Sequence, residues 1–110
     1  MLGKHVILDV HTDSDLLTNK DAMCKILSDA AIEVGCTVLF VEGHIFTPLN
    51  GYTAVIGLSE SHMSIHTWPE HNCCAIDIFM CGECNSEIAA DIILNKMNAT
   101  NYAKKVIERL

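Results

Sequence analysis

The chain has 110 residues, of which 50% are hydrophobic, with a mean hydropathy of +0.28 and a formal net charge of -7. This length fits a single domain over residues 1–110, and no apolar run approaches the roughly 20 residues that a membrane-spanning helix needs. One arginine and six scattered lysines form no basic stripe, so neither nucleic acid nor an anionic membrane is an expected partner.

The first third of the chain is predicted to form a strand followed by a helix. Residues 6–10 are mostly aliphatic and favour a strand. Between residues 16 and 34, apolar side chains recur at spacings of three and four, as on one face of a helix. Asn19 or Thr18 is a suitable cap for the start of this helix, and Gly35 stands where the helix is expected to end.

The remainder is predicted to consist of short strands with one further helix. Strands are expected at residues 36–41, 52–58, 63–68, 73–80 and 102–107. A turn is expected at residues 47–51, which contain a proline and an Asn-Gly pair, and a helix at residues 86–97, with Ser86 as its cap. This order indicates an α+β fold, a two-layer α/β sandwich with a mainly antiparallel sheet and its helices on one face.

Residues 59–70 concentrate hydroxyls, imidazoles and carboxylates in the run Ser-Glu-Ser-His-Met-Ser-Ile-His-Thr-Trp-Pro-Glu. In a strand, alternation puts Ser64, His66 and Trp68 on one face, so His66 can face a site while its neighbours pack into the core. The composition also fits a simple polar connection between strands, because a Glu-Ser pair is uninformative by itself and surface histidines are common.

One reaction would give this segment a function. If the hydroxyl of Ser61 lies against the carbonyl of Glu60, an N-to-O acyl shift converts that peptide bond into an ester. A base then removes the α-proton of Ser61, which expels Glu60 as a carboxylate and leaves dehydroalanine, and hydrolysis of dehydroalanine gives a pyruvoyl group. An imidazole titrates near neutral pH and suits the role of base, so His62 and His66 are the local candidates.

Two longer strings closely resemble the signature of the prokaryotic pyruvoyl-dependent S-adenosylmethionine decarboxylases. Residues 57–70 extend the run above with a preceding Gly-Leu, and residues 75–82 read Ala-Ile-Asp-Ile-Phe-Met-Cys-Gly. The resemblance continues from residues 3–5 near the start to residues 108–109 near the end, and so covers nearly the whole chain.

This resemblance implies a proenzyme that cuts itself between Glu60 and Ser61, giving a β chain of residues 1–60 and an α chain of residues 61–110. Ser61 would become the pyruvoyl cofactor, whose carbonyl forms a Schiff base with the amino group of the substrate. The activity implied is the conversion of S-adenosylmethionine, a small-molecule substrate, to its decarboxylated form, the aminopropyl donor for spermidine synthesis. A homodimer of processed αβ units is also implied.

Further site residues follow from the resemblance, position by position. His66 matches the family's processing base, and Cys81 matches its catalytic proton donor. Thr53 stands where the family usually has a serine that assists processing, and it keeps the hydroxyl. Phe46 resembles the adenine-stacking aromatic, with core packing as its alternative role, and Glu70 would hydrogen-bond the ribose, with a solvated loop position as its alternative.

Other interpretations stay open at this point. On the same scaffold, the substrate could be ornithine or arginine. Cys81 and Cys84 form a Cys-x-x-Cys pair that could be redox-active or could bind zinc together with Cys73, Cys74, His66 and His71. An inactive binding or regulatory relative is disfavoured, because Ser61, His66 and Cys81 are all present.

The six cysteines are expected to be reduced thiols, because the start of the chain shows no export signal and indicates a cytoplasmic protein. Cys24 and Cys36 lie in apolar contexts that are typical of buried small hydrophobic residues. The main interpretation includes no metal, because structural zinc sites usually pair two separated ligand couples, whereas adjacent Cys73 and Cys74 would point to opposite faces of a strand.

Overall fold

The structure is a computed structural model and describes residues 1–110. Its strands are β1 (Gly3–His11), β2 (Val38–Phe46), β3 (Gly51–Leu58), β4 (Ser61–Trp68), β5 (Cys73–Cys81) and β6 (Asn101–Arg109). Its α-helices are α1 (Lys20–Glu33) and α2 (Ser86–Lys96). Short 3-10 helices span Asp15–Thr18 and Pro69–His71.

The six strands form one sheet in the order β2-β3-β4-β5-β1-β6, and every neighbouring pair is antiparallel. Helix α1 contacts β2 and β3, whereas α2 contacts β1 and β5, and the two helices contact each other. The predicted α+β sandwich with an antiparallel sheet and helices on one face is therefore confirmed. No helix combines the length and the apolar character that crossing a bilayer requires.

The core lies between the sheet and the helices because side chains alternate between the two faces of each strand. On β5, for example, Ile76, Ile78 and Met80 are buried toward the helices, whereas Asp77 is half-buried on the opposite face. A cluster of 25 buried hydrophobic residues fills this layer. The opposite face, called the open face below, carries no helix and holds the polar residues of β4.

The starts of the two helices show where the sequence was sufficient to predict the capping residue. The side chain of Asn19 accepts a hydrogen bond from the backbone N–H of Ala22 at 3.1 Å, so Asn19, and not the alternative Thr18, caps α1. The prediction of Ser86 as the cap of α2 is wrong, because Asn85 caps this helix by accepting from the N–H groups of residues 87 and 88. The hydroxyl of Ser86 is buried and donates to the carbonyl of Lys4 at 2.7 Å.

Strand β2 is longer than the sequence pattern indicates. The prediction ended it at residue 41, before a Glu-Gly pair, but pairing with β3 continues to Phe46, which lies opposite Gly51. Gly43 fits within the strand because an added Cβ would lie 2.7 Å from the carbonyl oxygen of Thr53. The longer strand brings Phe46 to the open face beside β4.

Candidate active site

The predicted cleavage point lies in a tight hairpin turn between β3 and β4. Leu58 and Ser61 are paired across the two strands, and only Ser59 and Glu60 connect them. Glu60 has a φ angle of 66°. A left-handed conformation costs a residue with a side chain about 1–2 kcal/mol, and it is usually given to glycine or asparagine. The residue before the predicted cleavage point is therefore held in a strained conformation.

A thiol is directed at the carbonyl group of the predicted scissile bond. Cys81, the last residue of β5, donates from its Sγ to the carbonyl oxygen of Glu60 at 3.1 Å. The Ser61 hydroxyl donates to the carbonyl oxygen of Ser59 at 3.4 Å, within the same turn. Glu60, Ser61 and Cys81 are called the turn end of the site. The structure thus brings together three of the residues selected from the sequence.

The other selected residues meet at the far end of β4. Phe46, His66, Trp68 and Glu70 line a groove of about 320 Å³, together with the turn that precedes Gly51. The rings of Phe46 and His66 have centroids 5.8 Å apart, and those of His66 and Trp68 are 4.3 Å apart. Aromatic walls with a carboxylate at the rim suit a flat, partly polar ligand. These four residues are called the aromatic end.

His66 is held by a partner on the neighbouring strand. Thr53 lies directly opposite His66 in the β3–β4 register, and its Oγ1 is 2.5 Å from Nδ1 of the imidazole. This hydrogen bond orients the ring and leaves Nε2 facing away from β3. The pairing brings together the two residues that the resemblance linked to processing.

The two ends are well separated within one chain. Five residue steps along β4 lie between Ser61 and His66, which is roughly 16 Å at the rise of an extended strand. A general base must come within about 3 Å of the proton that it removes, or act through one water. Within one chain, the structure therefore brings His66 to Thr53, Phe46 and Glu70 but not to Ser61.

A polar network that was not predicted from the sequence lies at the middle of the open face. Oδ1 of Asp77 lies 2.9 Å from Nε2 of His5 and 3.5 Å from Nε2 of His62. The other carboxylate oxygen of Asp77 accepts a hydrogen bond from the hydroxyl of Ser64. Arg109 donates to Nδ1 of His5 at 3.3 Å, which favours the tautomer of His5 that donates from Nε2 to Asp77.

Only the alternation of β5 could have placed Asp77 on the open face from sequence. Its partner His5 lies on β1, and no local pattern connects the two strands. His5, His62 and Asp77 are also the one group of three potential metal ligands within 4.8 Å of one another. Asp77 is hydrogen-bonded to His5 and to Ser64, and His5 also accepts from Arg109, whereas Nε2 of His62 lies 3.5 Å from Asp77.

The structure does not bring the cysteines and histidines of the alternative metal site together. Cys73 is partly exposed and Cys74 is buried on the other side of β5. Burial raises the pKa of the Cys74 thiol to about 12, which disfavours the thiolate that zinc requires. The group of three ligands described above contains no cysteine.

The open face also exposes large hydrophobic side chains. Phe46 is 48% exposed and Trp68 is 37% exposed, both beside the groove at the aromatic end. Others on this face are Phe40, Val55 and Ile107. Apolar side chains that share one face of a sheet are typical of a surface covered by a partner or a ligand.

Comparison with known proteins identifies the family of this chain. A family profile described as S-adenosylmethionine decarboxylase matches residues 4–110. The S-adenosylmethionine decarboxylase proenzyme of Clostridium kluyveri is 39% identical over 110 residues, which cover 98% of this chain and 86% of the relative. The proenzyme of the same name from Prochlorococcus marinus is 37% identical over 111 residues, covering 99% and 88%.

The fold agrees with that of a solved member. The crystal structure of the adenosylmethionine decarboxylase from Aquifex aeolicus VF5 superposes with a TM-score of 0.87 at 32% sequence identity. The match covers 98% of this chain and 90% of that chain. The chain belongs to the S-adenosylmethionine decarboxylase family.

Proposed function

We propose that this chain is the proenzyme of a self-processing decarboxylase that acts on S-adenosylmethionine. A single domain, residues 1–110, would cut itself into residues 1–60 and 61–110 in the cytoplasm, where its six free thiols stay reduced. The observation that carries the proposal is the hydrogen bond from Cys81 to the carbonyl oxygen of strained Glu60, in a chain that belongs to this family.

The turn end supports the first step of self-cleavage. The Cys81 thiol withdraws electron density from the Glu60 carbonyl, and it can stabilise the negative charge that develops on this oxygen when the Ser61 hydroxyl attacks. Collapse of that adduct breaks the C–N bond and leaves an ester with a free amine on Ser61. The ester still joins Glu60 to Ser61 after this step, so the strain of the left-handed Glu60 is fully released only when the chain is cut in the second step.

The second step requires a base at the α-proton of Ser61. Loss of this proton expels the Glu60 carboxylate, and water then replaces the nitrogen of the resulting dehydroalanine, which leaves as ammonia. The pyruvoyl group formed from Ser61 supplies a carbonyl that captures the amino group of the substrate and an adjacent amide that accepts electrons as carbon dioxide leaves. Cys81, already at this position, would return a proton to the α-carbon of the substrate.

The separation of the two ends supports a homodimer. His66 is the proposed base, but it stands roughly 16 Å along β4 from the Ser61 of its own chain. We therefore propose that the open faces of two chains pack together, so that the aromatic end of each chain meets the turn end of the other. Phe46 and Glu70 would then bind the adenosyl part of the substrate beside the partner's cofactor.

Mixed dimers test this arrangement directly. A Ser61→Ala chain and a His66→Ala chain, carrying different tags, are each expected to remain uncut when expressed alone. In the hybrid dimer, His66 of the first chain would serve Ser61 of the second, so we expect the His66→Ala chain to be cut only on co-expression. Hybrid dimers isolated through both tags that stay uncut would contradict the shared site.

Intact-mass spectrometry tests self-cleavage itself. The unmodified chain is expected to give two fragments, the second with a blocked N-terminus that reacts with hydroxylamine. The Ser61→Ala variant should remain one chain, whereas the matched Ser59→Ala variant, which removes the neighbouring hydroxyl of the same turn, should still be cut. A wild-type chain that stays whole with no reactive carbonyl would overturn the proposal.

Release of labelled carbon dioxide tests the substrate. Purified protein is incubated separately with carboxyl-labelled S-adenosylmethionine, ornithine and arginine. We expect release from S-adenosylmethionine, because the curated relatives carry that name and because a groove with aromatic walls suits an adenine ring. Release only from ornithine or arginine would assign the alternative substrate to the same scaffold.

A further inference from the structure

The network around Asp77 contains three groups that can bind one metal ion. Nε2 of His5, Nε2 of His62 and Oδ1 of Asp77 lie within 4.8 Å of one another, and they are called the His-Asp cluster. Both histidines lie opposite Phe79 in the strand register, one on β1 and one on β4, on either side of β5. Strand pairing therefore fixes the backbone of all three residues.

The hydrogen bonds of the His-Asp cluster leave His62 without a close partner. Asp77 is bound to His5 at 2.9 Å and to Ser64, but Nε2 of His62 approaches its carboxylate only to 3.5 Å. The exposed fraction of the side chain is 46% for His62, compared with 18% for His5 and 30% for Asp77. An ion from solvent can therefore reach the cluster from the side of His62.

The distances and the ligand types suit a divalent transition-metal ion such as zinc. A tetrahedral zinc ion with bonds of about 2.0–2.2 Å holds its ligand atoms roughly 3.3 Å apart. The distances from the carboxylate oxygen to the two nitrogens, 2.9 and 3.5 Å, lie on either side of this value. Imidazole nitrogens favour zinc, cobalt and nickel over magnesium and calcium, which prefer oxygen.

We propose that His5, His62 and Asp77 together bind one divalent transition-metal ion. The three side chains approach the ion from the sheet, and water occupies its remaining positions on the open face. The formal net charge of -7 favours the approach of a cation.

Arg109 is the group that opposes the ion. Its guanidinium donates to Nδ1 of His5 at 3.3 Å and lies 5.0 Å from the ring centre of Phe79. When an ion takes the place of the proton on Nε2, a neutral imidazole carries its proton on Nδ1, which then no longer accepts from Arg109. The exposed guanidinium must therefore turn away when the ion binds, and its removal should tighten binding.

The position of the His-Asp cluster gives the ion a role that rests on the proposed function. His5 belongs to residues 1–60, whereas His62 and Asp77 belong to residues 61–110, so the ion would join the two products of self-cleavage. His62 also follows Ser61 directly, and cleavage removes the covalent link of this chain end to Glu60. An ion bound to His62 would keep the new chain end in place.

Binding of Co²⁺ to the uncleaved Ser61→Ala chain tests the site independently of self-cleavage. We expect one Co²⁺ per chain, displaced by Zn²⁺ but not by excess Mg²⁺. Its visible absorption bands should be those of nitrogen and oxygen ligands, without the intense near-ultraviolet bands of sulfur ligands. Sulfur bands, or the absence of binding, would overturn the proposal.

Substitutions in the same background identify the ligands. Asp77→Asn and His62→Asn should each weaken Co²⁺ binding by about 100-fold or more, because losing even an outer partner of a metal ligand costs roughly 10–100-fold. The matched variant His11→Asn should bind normally, since it removes an exposed histidine of β1 that lies outside the cluster. Unchanged binding in His62→Asn would contradict the assignment.

Two further measurements test the opposing charge and the link between the fragments. Arg109→Ala should bind Co²⁺ about tenfold more tightly, because a nearby positive charge is removed. In the cleaved wild-type protein, Zn²⁺ should raise the Tm, and His62→Asn should lose this rise. Weaker binding by Arg109→Ala would contradict the role of His5, and an unchanged Tm would contradict the link. If the wild type is never cut, the Co²⁺ results for the Ser61→Ala chain still decide the site.

Discussion

Polar residues lie at both ends of strand β4, but their surroundings differ. At the turn end, a strained residue, a hydroxyl and a thiol lie in a two-residue connection that leaves little freedom. At the aromatic end, His66 sits within a regular ladder, fixed by Thr53 and flanked by rings. Under the proposed function, the turn end would react, whereas the aromatic end holds its side chains in place.

Under the proposed function, this contrast means that one chain alone would not form a complete site. The groups that would change covalently lie at one end of the hairpin, and those proposed to remove a proton and bind a ligand lie at the other. Because β4 is an extended, paired strand, His66 stays roughly 16 Å from Ser61 of the same chain. In the proposed dimer, the aromatic end of a second copy would lie at the turn end of the first and complete the site.

The largest expected effect concerns the turn end. Cys81→Ala should lower turnover by about 100-fold or more, because no group returns a proton to the product. It should also slow self-cleavage by about tenfold, because the Glu60 carbonyl loses its donor. Mass spectrometry follows cleavage, and carbon dioxide release per cleaved chain follows turnover. Cys81→Ser keeps a donor and should restore cleavage more than turnover; equal cleavage rates in all three proteins would contradict the role of the thiol.

A smaller effect is expected at the aromatic end. Thr53→Val keeps the shape of the side chain but removes the hydroxyl that orients His66, so self-cleavage should slow by about tenfold. The conservative variant Thr53→Ser should cleave at nearly the wild-type rate. A Thr53→Val chain that matches the wild type in a time course of intact masses would show that His66 needs no orienting partner.

The smallest expected effect is a change in stability, and it is tested by glycine substitutions in the turns at the two ends of β3. In the uncleavable Ser61→Ala background, Glu60→Gly should raise the free energy of unfolding by about 1 kcal/mol, because glycine adopts a φ of 66° without strain. Asn50 has a φ of 65° in the preceding turn, but asparagine tolerates this region, so Asn50→Gly should change stability less. Urea denaturation measures both, and equal shifts would argue against special strain at Glu60.

The sequence predicted those features that depend on local pattern. Alternation along β4 correctly indicated that Met63 and Ile65 are buried and that His66 faces the other way. Asn19 was one of two candidate caps, with Thr18, and the structure selects Asn19. The signature around Ser61 predicted the family, and the comparisons confirm it.

Features that depend on contacts between distant residues could not be predicted in this way. Ser86 and Asn85 are both good caps, and the choice is decided by Lys4, whose carbonyl binds the hydroxyl of Ser86. His5 had no recognisable partner, because Asp77 meets it only through the pairing of β1 with β5.

The strand order has a consequence for a chain that is cut after Glu60. Residues 1–60 would contain β1, β2 and β3, and residues 61–110 would contain β4, β5 and β6, yet β1 lies between β5 and β6 in the sheet. The two pieces would therefore be interleaved, and pulling them apart would expose strand edges on both sides of β1. Cleavage would thus leave a nicked protein that stays assembled. Once its two pieces had separated, however, refolding would require their bimolecular association.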